Sequence, residues 1–512
     1  MNRKDLELTL RRIYAVFPVL NRPMALSAAV AAVCVVLVFY KSSLIFLLLL
    51  LFFVSAIIYF IRTRKIKVAL IALFLFAVSL SAFNEIKTVN ELEYLNGETV
   101  LADFIAVEDS KFTGNSSSVA VYCYNAEYMP KRTKFNMVFN SDYKVLCGDR
   151  FSAIVKLRGL EDSDYKMYNF GNSVYMSCYA VKVCDTYSPD KFFAFAGNIR
   201  RGAIRIIKEN FGDDISALLI ALTCGDRSYM SAEFYNKAIV CGVIHVMVVS
   251  GLHISIILGS VFSLCERLFY NRFIKAFSAV TAVILICAVC GFTLSVVRAG
   301  FMFVFMAVSP LFKRVNDSFN SLGTAVTLML IISPFCIFSG AFLLSVSSTL
   351  AVVWFAPFVY NLILERLPSK NTVLRQAVEV FIVSMCAMIF TAPVAIKVFG
   401  KISLLSPLVF LLITFPVTYA LRFNTVALAV SFLKYLPVPL FFVSGICARY
   451  IYFVIDTFGE FDFLVYNANN ADFIISVLLI FVLVVLMYIY KYFLKMKALG
   501  LLKRGELSAR NI

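Results

Sequence analysis

Only two histidines occur in the 512-residue chain, His245 and His253, and Ser250 and Gly251 lie between them. Imidazole changes charge near neutral pH. A histidine pair in an apolar stretch therefore has two readings: packing partners bonded to nearby carbonyls, or groups that border a polar path. Ionisable side chains are costly among lipid-facing helices and tend to face a pathway or a partner, which favours the second. On one continuous helix an offset of eight residues sets the two rings roughly 80° apart, on one side. Ser250-Gly251 marks a natural kink between them. Arg298 stands in Ser295-Val296-Val297-Arg298-Ala299-Gly300. It either snorkels to an interface or lines an aqueous cavity and touches a phosphate. Asp226-Arg227 either cap the next helix or join the same path. Ser250 has no G-x-S-x-G elbow and no nearby acidic partner, so hydrolysis is not expected and no catalytic residue is assigned.

The elements that must hold these groups are membrane helices. Hydrophobic residues make up 61% of the chain and charged residues 15%, against about 25% charged in globular proteins. A span takes about 20 apolar residues. Apolar runs at 24–40, 43–61, 66–83, 234–264, 274–292, 294–309, 320–338, 341–363, 376–397, 402–422, 438–456 and 472–490 predict about twelve spans in a mainly α, polytopic bundle, some of them broken or re-entrant. Pro393, Pro407, Pro416 and Gly400 fall in or beside these runs, and broken helices are tolerated where protein or water satisfies the freed backbone. Cationic loops stay in the cytoplasm. Arg62-Thr63-Arg64-Lys65, Lys313-Arg314, Arg366 to Arg375 and the basic tail 491–512 therefore predict both termini inside and residues 84–190 outside. The +17 balance has two readings, ordinary cytoplasmic loop decoration and a path for a polyanion.

Residues 84–190 break the pattern. Phe135, Met137 and Phe139, and Phe151, Ala153, Val155 and Leu157, alternate with polar neighbours, which is the period of half-buried strands. A small extracellular β domain is expected there. Its four cysteines, Cys123, Cys147, Cys178 and Cys184, allow three disulfide pairings that the sequence leaves open. The scattered cysteines and two histidines give no metal-ligand spacing, so no metal is expected. Residues 191–211 carry Arg200, Arg201, Arg205 and Lys208 opposite phenylalanines and isoleucines and read as an amphipathic helix in the headgroup plane. The domain order is thus 1–83 with three spans, 84–190, 191–211, the transmembrane domain 212–490, and the cytoplasmic tail 491–512.

In order along the chain come Ala221-Leu222-Thr223-Cys224-Gly225-Asp226-Arg227-Ser228, His245 to Ser250-Gly251-Leu252-His253, Ser295 to Ala299, and Arg314 to Asn320. This series resembles the competence domain of the ComEC family. The preceding domain, with Gly148-Asp149-Arg150-Phe151, is similar to the OB-fold domain of that family. The resemblance implies a bacterial cytoplasmic-membrane channel that takes up one strand of transforming DNA. It further implies a path past His245, Ser250, Gly251, His253, Arg298, Asp226 and Arg227. Its partners would be single-stranded DNA, membrane lipid, and a separate DNA receptor, nuclease and ATPase or helicase motor, with a homo-oligomer also open. By residue type, Tyr122, Tyr124, Lys131, Arg132 and Lys134 are either DNA contacts or ordinary turn residues. No cofactor is implied. Since no histidine follows His253, a short form without the metallo-β-lactamase-like nuclease domain is expected. A proton-coupled small-anion transporter and a membrane scaffold without transport are the alternatives.

Overall fold

The computed structural model describes residues 23–40, 66–113, 116–126, 130, 133–140, 143–160, 163–247, 251–268, 271–312, 317–364, 372–433 and 435–498. The predicted span 43–61, the clusters Arg62 to Lys65 and Lys313-Arg314, and most of the basic tail lie outside them.

Two apolar helices, α1 (Pro23–Tyr40) and α2 (Ile66–Glu93), lead into the β domain. Helix α2 continues past residue 83, the predicted domain boundary, and carries Leu92 into the domain core. Strands β1 (Thr99–Ala106), β2 (Lys111–Thr113), β3 (Ser116–Ala126), β4 (Lys134–Phe139), β5 (Arg150–Gly159) and β6 (Val174–Tyr187) follow, with the short helix α3 (Ser163–Gly171) before β6. Strand β1 pairs antiparallel with both β5 and β3; β5 pairs with β6, β6 parallel with β4, and β4 with β3. The ladder thus returns to its first strand, which removes the open edges that invite aggregation. The alternating residues expected from the sequence turn inward. Phe104, Phe135 and Phe151 form the centre of the domain, with centroids 6.4 and 6.1 Å from Phe104.

The disulfide expectation is corrected, because all four cysteines of this domain are free thiols. Cys123 and Cys178 sit in the core as small apolar groups. The Cys147 thiol donates to the Val107 carbonyl (3.0 Å), and Cys184 is exposed. Burial pushes the Cys123 and Cys147 thiols up to about 11.

Asp190 starts α4 (Lys191–Asn210) by accepting the Phe192 and Phe193 amides at 3.1 and 3.2 Å. This helix is tied down more firmly than its amphipathic pattern suggests. Arg201 is paired with Asp109 of the β domain, and Arg200 with Asp226 of the membrane domain. After it come α5 (Asp213–Cys224), α6 (Ala232–Val240), α7 (Gly251–Leu268), α8 (Arg272–Val289), α9 (Leu294–Val308) and α10 (Ser318–Ile332). Next are α11 (Gly340–Leu350), a wide π turn Ala351–Phe355, and α12 (Ala356–Leu364). The chain ends in α13 (Thr372–Phe399), α14 (Ser406–Ala429), α15 (Pro437–Phe458) and α16 (Asn470–Ala498). A two-strand ribbon, β7 (Lys401–Ser403) with β8 (Val465–Asn467), ties the α13–α14 turn to the start of α16.

Among the described residues seven stretches are long and apolar enough to cross a bilayer, carried by α2, α8, α11–α12, α13, α14, α15 and α16. This is a helical membrane protein; among the described residues these seven stand against the about twelve spans, some broken or re-entrant, read from the sequence, of which 43–61 lies outside the described residues. Helices α1, α7, α9 and α10 hold only shorter apolar windows, such as His253–Ser263 and Leu294–Val308. The predicted span 234–264 divides into α6, a turn, and α7. The apolar run at 215–224 is nearly all buried within α5.

Phe335, between α10 and α11, seats the β domain on the helices. It is fully buried and stacks on Phe170 at 6.0 Å, with Tyr175 and Phe39 edge-on at 6.0 and 5.4 Å. Gly171 lets α3 approach closely, since a Cβ there would lie 2.5 Å from the Ser339 amide nitrogen.

These findings predict thiol chemistry. Among the four domain cysteines, Cys184 alone should react quickly with a membrane-impermeant maleimide at pH 8, and the other three should stay protonated and protected. Electrophoretic mobility should be the same with and without reductant. A shift on reduction would reinstate a disulfide.

Candidate functional site

The centre of interest is where α7, α9 and α11 meet. Helix α7 begins at Gly251, one residue after Ser250, which lies outside the described residues. A Cβ on Gly251 would lie 2.5 Å from Nη2 of Arg298 and 3.9 Å from the Ala299 Cβ. The glycine is therefore needed for space: any side chain would displace the guanidinium. Arg298 is only 4% exposed. Its Nη1 donates to the Ser345 carbonyl of α11 in a short contact, and its Nε finds no partner among the described residues. No carboxylate among them pairs with it. Each residue of Arg298-Ala299-Gly300 has a separate task. Arg298 reaches α7 and α11, Ala299 faces Gly251, and Gly300 admits α8, since a Cβ there would lie 2.9 Å from Val283.

Helix α11 is polar for a span. Ser345, Ser347, Ser348 and Thr349 follow one another closely, and the Ser348 and Thr349 hydroxyls return bonds to the Ser345 carbonyl at 3.1 and 2.8 Å. That carbonyl is thus shared between the helix's own hydroxyls and Arg298. The π turn begins two residues after Thr349. Such turns locally relax the helix ladder and recur at functional positions.

His253 is fully buried in the first turn of α7. His245 is not its neighbour on a continuous helix. It lies in the turn 241–247, where Cys241, Val243, Val246 and Met247 are buried, with its ring over Phe410 at 5.9 Å. Gly242, at φ +69°, starts that turn, and the hydroxyls of Ser403 and Ser406 donate to the carbonyls of Val240 (2.5 Å) and Gly242 (3.2 Å). The break between α6 and α7 is therefore built in by the α13–α14 turn.

Asp226 and Arg227 do not join this centre. The Asp226 carboxylate accepts from the Ser228 hydroxyl (2.6 Å) and from Arg200 (3.0 Å). Burial would raise its pKa, but the bonds from Ser228 and the charge of Arg200 outweigh this and hold it below the ordinary aspartate value. Arg200 also lies 3.0 Å from the place a Gly291 Cβ would take, so one guanidinium joins α4, α5 and the α8–α9 turn. Arg227 is exposed, and its guanidinium lies over the Tyr235 ring at 5.6 Å.

Of the residues read as DNA contacts, Tyr122 and Lys134 are cross-strand partners on β3 and β4. Tyr124 lies under Arg150 at 5.7 Å, and Lys131 and Arg132 fall outside the described residues. Burial holds the Lys134 ammonium below the ordinary lysine range, with Glu108 opposing weakly. The more open cations are on β5 and β6. Lys156 stands opposite Tyr179, and Lys182 opposite Ile154.

Sequence reasoning missed two buried features. Ser345 is a backbone partner, which no residue pattern signals. Asn424, fully buried on α14, donates to the Thr223 hydroxyl of α5 at 2.9 Å. The only hint was an amide in the middle of an apolar run.

A family model described as "Competence protein" matches residues 222–492, just over half of the chain. The matched region contains α7, α9 and α11 and thus the whole Arg298 centre. ComE operon protein 3 of Bacillus subtilis (strain 168) is 24% identical over 254 residues, 49% of this chain and 31% of that protein. The matched part therefore spans about a third of the relative's length. No solved structure matches.

Two substitutions test the geometry. Gly251→Ala should destabilise the folded protein by about 1–3 kcal/mol, as overpacking does, seen as a lower melting temperature in detergent. An unchanged melt would mean that Gly251 and Arg298 do not touch. Asp226→Asn should lower the melting temperature at pH 7. A carboxylate with a depressed pKa stabilises above its unfolded value of about 3.9 and loses this as pH falls through the folded value. The gap between wild type and Asp226→Asn should accordingly close below about pH 4.

Proposed function

Because the chain belongs to the competence protein family, we propose that it forms a channel carrying single-stranded DNA across the cytoplasmic membrane during transformation. The observation that carries this reading is Arg298: a guanidinium buried among membrane helices, bonded to a neutral carbonyl and facing no carboxylate among the described residues. A buried cation left without a counter-charge suits an anionic guest, and a guanidinium matches phosphate oxygens in planar, paired fashion. Gly251 borders it on α7, and His253, two residues on, is buried in the same turn of that helix. Ser250 joins them by its place in the sequence. His245, in the turn before α7, lies close enough to His253 for the two imidazoles to feel each other's charge, and Asp226-Arg227 hold the wall rather than line it.

Several supports fit together. The closed strand ring, with β4 and β6 parallel, is the arrangement of an OB-like barrel, a fold whose cations and aromatics bind single strands. Lys156, Tyr179 and Lys182 give it such a face, with Tyr122 and Tyr124 further along the ring on β3. The cationic segments put the termini in the cytoplasm and the β domain outside, where incoming DNA first meets the protein. The shorter helices α1, α7, α9 and α10 complete the wall of the path as broken or partial crossings. A separate receptor, nuclease and motor would deliver and pull the strand.

Transformation frequency in the host measures this. Arg298→Ala should lower it about a hundredfold, as loss of roughly 3 kcal/mol of charge-assisted bonding would, with normal membrane insertion and normal DNA binding at the cell surface. Arg298→Lys should keep part of the activity, and His253→Ala should fall with Arg298→Ala. Unchanged transformation with altered uptake of a small anion would replace the DNA channel with a solute transporter.

A further inference from the structure

A cavity of about 970 Å³ lies among α12, α13 and α16, walled by Phe358, Val378, Met385, Ile389, Met487 and Phe493 among other apolar side chains. Its lining does not include Arg298, Gly251, His253 or Ser345. Its size is at the upper end of the roughly 300–1,000 Å³ of ligand pockets, yet it lacks the convergent polar groups that fix a soluble ligand. Water is a poor occupant, because it needs two to four polar partners. Emptiness is no better, since atoms lining a void lose their dispersion contacts. The four stretches around it, α11–α12, α13, α14 and α16, are long and apolar enough to cross a membrane, where the apolar material at hand is lipid.

The dimensions agree with one leaflet. On α13 the lining runs from Ala377 to Ile389, roughly 18 Å of helix at 1.5 Å per residue. A hydrocarbon core is about 30 Å thick, so the cavity reaches from one interface to near the midplane. Its two ends differ. At the deep end, Ile389, Leu411 and Leu483 are apolar. At the other, next to Ala377 and Phe493, stand Arg375, exposed, and Lys491, whose ammonium lies 5.5 Å over the Phe358 ring that lines the cavity. Cations at a membrane interface attract anionic lipid headgroups.

We propose that this cavity is a binding site for an anionic phospholipid, with its acyl chains among α12, α13 and α16 and its headgroup at Arg375 and Lys491. The site is independent of DNA transport.

The chain has a single tryptophan, Trp354, packed on Tyr488 at 6.1 Å in the same helix cluster, and this supplies a reporter. The full chain is placed in phosphatidylcholine nanodiscs containing small fractions of phosphatidylglycerol brominated on its acyl chains. Trp354 fluorescence should be quenched with saturation at low mole fraction, and brominated phosphatidylcholine should require at least about tenfold more. Native mass spectrometry of the protein in mild detergent should show one retained anionic phospholipid. Arg375→Glu with Lys491→Glu, both at the rim, should abolish the headgroup preference while leaving the fold intact. Cys386→Phe, which fills the cavity, should remove both saturation and the retained lipid. Quenching that rises linearly with mole fraction, or equally for both headgroups, would overturn the proposal. So would retained lipid that neither variant affects, and so would a cavity that excludes lipid because another part of the chain or a second copy covers it.

Discussion

A guanidinium among apolar helices needs partners for its donors, and the centre of this protein is arranged around that need, met at Nη1 by the Ser345 carbonyl and left open at Nε among the described residues. Taking a full charge out of water costs several kcal/mol even after relaxation. The cost is offset here by a main-chain carbonyl rather than a carboxylate. A helix carbonyl is normally occupied by its own ladder, so Ser345 sits in a stretch where hydroxyls and a π turn loosen the helix. Room for the guanidinium is made on the other side by Gly251. At this glycine α7 places backbone and not side chain against the charge. One constraint thus accounts for the glycine and the serine cluster.

The break before α7 needs outside support, because a turn with its backbone buried must find partners for its carbonyls. Ser403 and Ser406 supply them from the α13–α14 turn, and the small β7–β8 ribbon fixes that turn in place. The same logic holds at the other end of the molecule. Arg200 and Arg201 act as two prongs from one helix, one into the β domain and one into the membrane domain. Together with Phe335 they set the strand ring at a fixed position over the helices. In the proposed channel this matters, since a strand collected on the β domain has to be handed to a path a short way below it.

Much of this was legible in the residues. Period-two apolarity located the strands, because a half-buried sheet can be built no other way, and Phe135, Phe151 and their alternating partners turned inward as expected. The Gly251 and Arg298 strings were legible as special, but their contact was not: 47 positions separate them in sequence, and no local pattern says that two helices cross at that point. Span counting failed where it used run length alone. Residues 234–264 are apolar throughout, yet Gly242 at positive φ and the two serine clamps divide them. The four domain cysteines suggested a bridge on compartment chemistry, but two of them fill the core as apolar groups. The cations of 191–211 read as the charged side of a helix in the headgroup plane, yet two of them meet carboxylates that lie 26 and 92 residues away.

In the proposed channel, the choice of a carbonyl as the partner of Arg298 bears directly on transport. A carboxylate would hold the guanidinium with a full opposite charge, and a passing phosphate would have to displace an ion pair. A carbonyl offers only a dipole, which keeps the cation oriented but leaves most of its charge unmatched. Conduction requires binding strong enough to draw an ion in and weak enough to release it. A phosphate can take over the bond from the Ser345 carbonyl, which then reverts to the Ser348 and Thr349 hydroxyls already within reach. When the phosphate moves on, the carbonyl returns. Each step exchanges one hydrogen bond for another, so a polyanion can advance past a single fixed cation without being trapped by it.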